Sequence, residues 1–161
     1  MRNISFKFLS IVSHPQDVND VLAAIDHVID MGFADPKSDS EWKTGFSLDK
    51  FAVAAARNPV CNFALMVGTT DIPDWCYYEA FGSEAKSSFT PAPSPEHLAL
   101  FYDKSPISHV SKVKAPTLMI FGAKDLRMPI TDGFQYAQAL KEKGVEVKVM
   151  MFPDDIHELD R

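Results

Sequence analysis

The clearest periodic pattern in the chain predicts a helix near its start. In the stretch QDVNDVLAAIDHVIDMG, which begins at Gln16 and ends at Gly32, apolar residues recur three and four positions apart. Asp17 is placed to cap the first turn, and Gly32 to end the helix. A second helix is predicted to begin at Ser94-Pro95, because serine caps helices and proline fits the first helical position; Ser105-Pro106 interrupts it.

The second half of the chain predicts a strand, a helix and another strand. The strands are PTLMIF (residues 116–121) and VEVKVMMF (residues 145–152). The second alternates apolar with mostly polar residues, which is typical of a strand with one apolar face. Between them, the pattern predicts a helix from about Thr131 to Lys143, closed by Gly144. A helix that joins two such strands implies a parallel pair with a right-handed crossover, and hence an α/β sheet.

The remaining segments are less regular. FAVAAA (residues 51–56) predicts a short buried strand, and VCNFALMVG, which follows Asn58-Pro59, a short helix. Residues 34–50 and 83–95 are rich in loop-forming residues, and we expect loops there. TTDIPDWCYYEAFG is expected to be irregular, with aromatic residues that either line a pocket or cover the core. These residues are Trp75, Tyr77, Tyr78 and Phe81.

Composition narrows the class of protein. With 161 residues, 46% hydrophobic and 24% charged, the chain has the profile of one globular domain. A formal net charge of −6 argues against nucleic acid or an anionic membrane as a partner. Apolar runs fall far short of the ~20 residues of a membrane span. We expect no secretory signal in MRNISFKFLSIV, and Cys61 and Cys76 to be reduced thiols of a cytoplasmic protein.

Candidate chemistry lies after the two predicted strands. Asp125 follows the first strand and His157 follows the second. In parallel sheets, functional groups collect beyond the carboxyl ends of the strands, and neighbouring strands lie ~4.8 Å apart. A serine hydrolase needs a nucleophile, a histidine that accepts its proton, and a carboxylate that orients the histidine. The order Asp125 before His157 matches the last two positions of an α/β-hydrolase triad.

Several stretches resemble the prolyl oligopeptidase family, and within it the acylaminoacyl peptidases. FGAKDLRMP is similar to the family motif hydrophobic-G-x-x-D-x-R-V-P, with Met128 where valine is usual. ARNPVCNFALMVGTTDIPDWC, KSPISHVSKVKAPTLMIFGAKD and VKVMMFPDDIHELDR extend the match, which covers roughly residues 16–33 and 49–161. The resemblance implies a serine peptidase that releases N-acylated amino acids from blocked peptides. It also implies an α/β-hydrolase fold, a cytoplasmic location, homo-oligomers and no cofactor.

Residue by residue, the resemblance implies that Asp125 is the triad carboxylate and His157 the base. Arg127 is a candidate for binding substrate at the rim of the site; the alternative is a salt bridge that shapes its loop. Asp154, Asp155, His157, Glu158 and Asp160 form an acidic tail that could be interpreted as a metal cluster. A contiguous acidic tail is more often solvated, so no metal is predicted.

The triad serine is the part of the family pattern that this chain lacks. The family places a G-G-S-H-G-G stretch between the first helix and FAVAAA, where this chain has ADPKSDSEWKTGFSLDK. The nearest imitation is GFSLD, in which Ser47 is followed by Asp49 where glycine is expected. We therefore expect residues 1–161 to be a single truncated α/β-hydrolase domain. We expect it to lack a β-propeller, early strands and the nucleophile elbow with its strand and helix. The alternative function is a catalytically inactive fragment that acts as a binding or oligomer-partner protein.

Overall fold

The structure, a computed structural model, describes residues 15–32 and 53–159. Within these two ranges the chain forms the following elements: α1 (Pro15–Asp30), β1 (Ala54–Arg57), α2 (Phe63–Met66), α3 (Pro73–Phe81), α4 (Ala85–Ser88), α5 (Pro95–Asp103), β2 (Thr117–Gly122), α6 (Ile130–Glu142) and β3 (Val147–Phe152). Two 3-10 helices, Gly82–Glu84 and Pro106–Lys112, complete the order. The predicted segments before residue 15 and at residues 34–50 lie outside the described residues.

The strands form one parallel sheet in the order β1-β2-β3. Thr117 of β2 lies opposite Ala54 on one side and Val147 on the other. The connections between these parallel strands are helical: α2 to α5 join β1 to β2, and α6 joins β2 to β3. The prediction of an α/β fold with a mainly parallel sheet flanked by helices is confirmed. Because all three strands are parallel, the loops that follow them leave from the same edge of the sheet.

Helix α6 packs against the sheet and forms the core beside it. Met119 and Phe121 of β2 are buried together with Tyr136, Ala137 and Leu140 of α6. Gly133 allows the close approach of the helix, because a Cβ at this position would overlap the Phe121 ring. Burial of these apolar side chains, at ~25 cal/mol per Å² of apolar surface, is what holds α6 to the sheet.

The aromatic segment is a helix, so the prediction of an irregular stretch was wrong. Pro73 occupies the first turn of α3, and Tyr77 is completely buried. Four aromatic rings contact the Tyr77 ring: Phe81, Phe89, His97 and Phe101. Trp75 and Phe81 are partly buried against this core, whereas Tyr78 is 52% exposed. The segment thus covers the core at three of its four aromatic positions.

Other corrections concern burial and loop content. FAVAAA was predicted to be a buried strand, but β1 is only half-buried, and Val53 before it is 42% exposed. The alternating strand β3 has one neighbour in the described sheet, and Val149 and Met151 are 40% and 49% exposed. The predicted loop at residues 83–95 contains α4. Within the described parts of the chain, no helix combines the length and the apolar character that a membrane span requires.

Candidate active site

The loop after β2 holds Asp125 by its own backbone. We call residues 123–129 the aspartate loop. Asp125 is 5% exposed, and its Oδ1 accepts hydrogen bonds from the backbone N–H of Arg127 (2.8 Å) and of Met128 (2.9 Å). The loop is also anchored from the α2–α3 connection, where Thr70 Oγ1 donates to the Arg127 carbonyl (2.7 Å) and Asp71 N donates to the Leu126 carbonyl (3.0 Å). The carboxylate is therefore fixed in direction.

The loop after β3 lies directly on the end of β2. We call residues 153–159 the histidine loop. Lys124 N donates to the Asp155 carbonyl (2.9 Å), and the two loops also share an exposed Lys124–Asp154 ion pair (2.8 Å). Gly122 lies so close to the histidine loop that a Cβ there would collide with the carbonyl oxygens of Asp155 and Ile156. Glycine at the last position of β2 is thus what lets the two loops meet.

This packing brings Asp125 and His157 into contact. His157 Nδ1 lies 2.8 Å from Asp125 Oδ2. An ionised carboxylate is an acceptor only, so Nδ1 is the donor in this pair, and the neutral ring carries its proton on Nδ1. Among the described residues, Nε2 has no hydrogen-bond partner, and the His157 side chain is 39% exposed. The ring can therefore accept a proton at Nε2 from a group that approaches from solvent.

Asn58, which no sequence pattern singled out, contacts the end of β2 and the histidine loop. It follows β1 directly and is 3% exposed. Its side-chain Oδ1 accepts from Gly122 N (2.9 Å), and its Nδ2 donates to the His157 carbonyl (2.8 Å). Its partners in the histidine loop are about a hundred positions away in the chain, so no local pattern could have revealed these contacts.

The family model for the prolyl oligopeptidase family matches residues 13–161. The chain belongs to the prolyl oligopeptidase family. It is 59% identical over 157 residues to the acylamino-acid-releasing enzyme of Arabidopsis thaliana, covering 91% of this chain and 20% of that one. Its identity to the human acylamino-acid-releasing enzyme is 37% over 158 residues, covering 89% and 21% of the two chains. The chain thus spans about a fifth of the length of these curated relatives.

Solved structures of peptidases share the fold. The acylaminoacyl peptidase of Pyrococcus horikoshii matches with a TM-score of 0.55 and 25% identity over 68% of this chain and 16% of that chain. A puromycin-hydrolyzing peptidase of Mycobacterium tuberculosis matches with a TM-score of 0.68 and 20% identity over 88% and 22%. The described residues are therefore a partial α/β-hydrolase fold, as predicted.

The other residues that the sequence nominated have different surroundings. The Arg127 side chain is exposed, and its guanidinium has no partner among residues 15–32 and 53–159, so the alternative of a loop-shaping salt bridge is not seen there. Ser47 and Asp160 lie outside the described residues. Among the residues that are described, no three His, Cys, Asp or Glu side chains are grouped to hold a metal ion.

A second buried carboxylate lies one turn beyond the aspartate loop. Asp132, in the first turn of α6, is completely buried. Its Oδ2 accepts from Cys61 N (2.8 Å), whereas its Oδ1 has no hydrogen-bond partner among the described residues. Burial raises the pKa of Asp132 to about 7, partly offset by hydrogen bonds from the backbone of Cys61 and Asn62.

The two thiols are free and buried, which agrees with the prediction of reduced cysteines. Burial, followed by the charge of Asp132, raises the pKa of Cys61 well above its usual value. The same two causes, burial first, raise the pKa of Cys76 to about 12. A thiol held in its protonated form is a poor nucleophile, so neither cysteine is a candidate catalytic group.

Proposed function

We propose that Asp125 and His157 are the carboxylate and the general base of a serine-peptidase site of the acylaminoacyl class. The substrates are N-acylated peptides, from which such a site releases the N-acylated amino acid. The observation that carries this proposal is the 2.8 Å contact between His157 Nδ1 and Asp125 Oδ2, on a histidine whose side chain is 39% exposed and whose Nε2 has no partner among the described residues. Identity of 59% to a plant acylamino-acid-releasing enzyme supports the choice of class.

In this proposal each group has a defined task. His157 Nε2 accepts the proton of a serine hydroxyl as the hydroxyl attacks the scissile carbonyl, and then donates it to the leaving amine. Asp125 keeps the ring in the Nδ1–H form and stabilises the imidazolium that forms during attack. The exposed Arg127 guanidinium binds a carbonyl or carboxylate group of the peptide. No cofactor takes part.

A second candidate function is a binding or oligomer-partner protein that does not turn over peptides. One observation from the sequence favours this second function: no G-x-S-x-G stretch occurs in its 161 residues. Without a serine on a nucleophile elbow, the histidine has no hydroxyl to deprotonate. We expect a cytoplasmic location and homo-oligomers for either function, and the free thiols of Cys61 and Cys76 support a reducing compartment.

Covalent labelling separates the two functions. The binding function predicts that the chain neither hydrolyses an acetyl-alanyl p-nitroanilide nor reacts with a fluorophosphonate probe, and we expect this result because the sequence has no G-x-S-x-G serine; the serine-peptidase function predicts both reactions. Labelling that is lost in His157→Ala and kept in Ser47→Ala would establish catalysis with another serine, and loss in both would assign the nucleophile to Ser47. Labelling that persists in His157→Ala contradicts the role of His157 as base. His27→Ala, an exposed position on α1, is the control.

Peptide binding tests the substrate class whether or not a nucleophile is present. We expect an acetyl-alanyl peptide to shift the NMR signals of the His157 ring and of the Leu126 and Arg127 amides. Arg127→Ala removes a charge-assisted hydrogen bond and is expected to weaken binding roughly tenfold. Shifts confined to residues away from the two loops, or an unchanged affinity in Arg127→Ala, would contradict this part of the proposal.

A further inference from the structure

Asn58 has an unusual backbone conformation at the carboxyl end of β1. Its φ is 42°, in the left-handed region, which asparagine tolerates better than most residues other than glycine. Its backbone N–H donates to the Ile120 carbonyl (2.8 Å), which extends the pairing of β1 with β2 by one residue. The left-handed turn comes directly before Pro59, and the side chain is buried between the loops that follow β2 and β3.

Both ends of the Asn58 amide are used. Oδ1 accepts from Gly122 N (2.9 Å), the last residue before the aspartate loop. Nδ2 donates to the carbonyl of His157 (2.8 Å) and, more weakly, to that of Ile156 (3.5 Å). One buried amide thus joins the last residue of β2 to the backbone of His157. The Gly122 N–H is buried and would lose its hydrogen bond without gaining one from water if Asn58 were removed, whereas the bond to the His157 carbonyl is only part-buried.

The neighbouring residue supports the same loop at its far end. Arg57, the last residue of β1, donates from Nη1 to the Leu159 carbonyl (3.2 Å). The carbonyls of His157 and Leu159 are therefore both bound by the end of β1. The His157 ring reaches Asp125 from a backbone that is held by the end of β1, which lies two strands away from β3 in the sheet.

We propose that Asn58 is a positioning residue, which holds the His157 backbone so that Nδ1 meets Asp125 Oδ2. The inference rests on the proposed function, because it assigns Asn58 a role in the geometry of the acid–base pair. Asn58 acts through His157 and does not contact the reacting atoms. Its two hydrogen bonds make separate contributions: the one to Gly122 fixes Asn58 to β2, and the one to His157 fixes the histidine loop.

Two variants of Asn58 separate these contributions. Asn58→Gly keeps the left-handed backbone accessible and removes both side-chain bonds. Asn58→Asp has the same shape and can still accept from Gly122 N, but it presents an oxygen to the His157 carbonyl where a donor is needed. Asn62→Asp is the matched control, because Asn62 is a buried asparagine that caps α2 and donates to Gln135 (2.7 Å), away from both loops.

The primary readout is the downfield proton NMR signal of His157 Nδ1–H, assigned by its loss in His157→Gln. We expect this signal in the wild type and in Asn62→Asp, and its loss in Asn58→Gly and Asn58→Asp. The second readout is hydrogen exchange of the Gly122 amide. We expect it to accelerate roughly tenfold in Asn58→Gly, about the effect of one lost hydrogen bond, and to change less in Asn58→Asp.

The outcomes distinguish this inference from the proposed function. A wild-type signal that survives unchanged in both Asn58 variants overturns the positioning role and leaves the Asp125–His157 pair intact. Loss of the signal in Asn62→Asp as well would mean that it reports general loosening, which also overturns the role. Absence of the signal in the folded wild type would show that the pair itself does not form, and would overturn the proposed function together with the inference.

Discussion

The aspartate loop and the first turn of α6 adjoin each other in the chain, and each contains a buried aspartate. Asp125 has a partner on both carboxylate oxygens: backbone N–H groups on Oδ1 and His157 on Oδ2. Asp132 Oδ2 accepts from Cys61 N, but its Oδ1 has no partner among the described residues. Both side chains are removed from water, so the difference between them lies in hydrogen bonding.

One segment of the chain thus provides two kinds of buried carboxyl group. A buried carboxylate is stable only where donors or opposite charges replace its water, and otherwise it takes up a proton. Asp132 takes up a proton more readily than an ordinary aspartate, since burial raises its pKa to about 7. Asp125 is surrounded by donors, one of them a partly exposed imidazole, so it is suited to orient a histidine. Asp132 is suited to join α6 to the loop before α2.

The largest effect is expected from removing the acceptor at Asp125. Asp125→Ala leaves the Arg127 and Met128 N–H groups and His157 Nδ1 without their partner. We expect the free energy of unfolding to fall by about 3 kcal/mol. Asp125→Asn keeps an oxygen for the two backbone donors, and we expect a loss of only about 1 kcal/mol. Urea denaturation at pH 7 measures both; equal losses in the two variants would contradict the importance assigned to the backbone donors.

An intermediate effect is expected from Asp132, as a dependence of stability on pH. Its pKa in the folded chain, about 7, lies above the ordinary value of ~3.9, so the folded state binds more protons between these values. Stability from this group is therefore greatest at low pH and is lost as pH rises towards 7, with a slope of up to about 1.4 kcal/mol per pH unit.

Asp132→Asn provides the comparison for this prediction. The amide oxygen still accepts from Cys61 N, but the side chain no longer titrates. Urea denaturation of both proteins at several values between pH 5 and 8 should show the wild type losing stability relative to Asp132→Asn up to about pH 7. A constant difference over this range would contradict the pKa assigned to Asp132.

The smallest effect is expected from the exposed ion pair that joins the same two loops as Asp125 and His157. The side chains of Lys124 and Asp154 are 59% and 78% exposed, so water screens their attraction. Lys124→Ala is expected to lower the free energy of unfolding by less than about 1 kcal/mol. It should leave the His157 Nδ1–H signal unchanged. A loss comparable to that of Asp125→Ala would show that charge pairing at the surface, and not the buried bonds, joins the loops.

The sequence correctly predicted the elements that follow from local signals, such as helix caps and the apolar patterns of strands. The Ser94-Pro95 cap located α5, and strands β2 and β3 were found from an apolar run and from an alternating pattern, respectively. Asp125 and His157 were nominated because each follows a strand, and parallel pairing then brings the two loops together. The assignment of these two residues to a triad remains a prediction.

What the sequence did not predict depends on distant contacts. Helix α3 was missed because its aromatic residues gave no single apolar stripe and its buried Tyr77 packs against rings outside the helix (Phe89, His97 and Phe101), although Pro73 was a usable start signal. The alternation in β3 did not produce a buried face: Val147 packs against the core beside α6, but Val149 and Met151 are 40% and 49% exposed. Asn58 was missed because its partners, Gly122 and His157, are far away in the chain.

The most direct test of the central claim is the tautomer of His157, read from ¹⁵N NMR of its ring near neutral pH. The claim is that Asp125 holds the neutral ring in the Nδ1–H form and leaves the Nε2 lone pair for a substrate proton. We predict the Nδ1–H form in the wild type and a shift to the Nε2–H form in Asp125→Asn, whose amide can donate to Nδ1. An Nε2–H ring in the wild type, or the same tautomer in both proteins, would contradict the account.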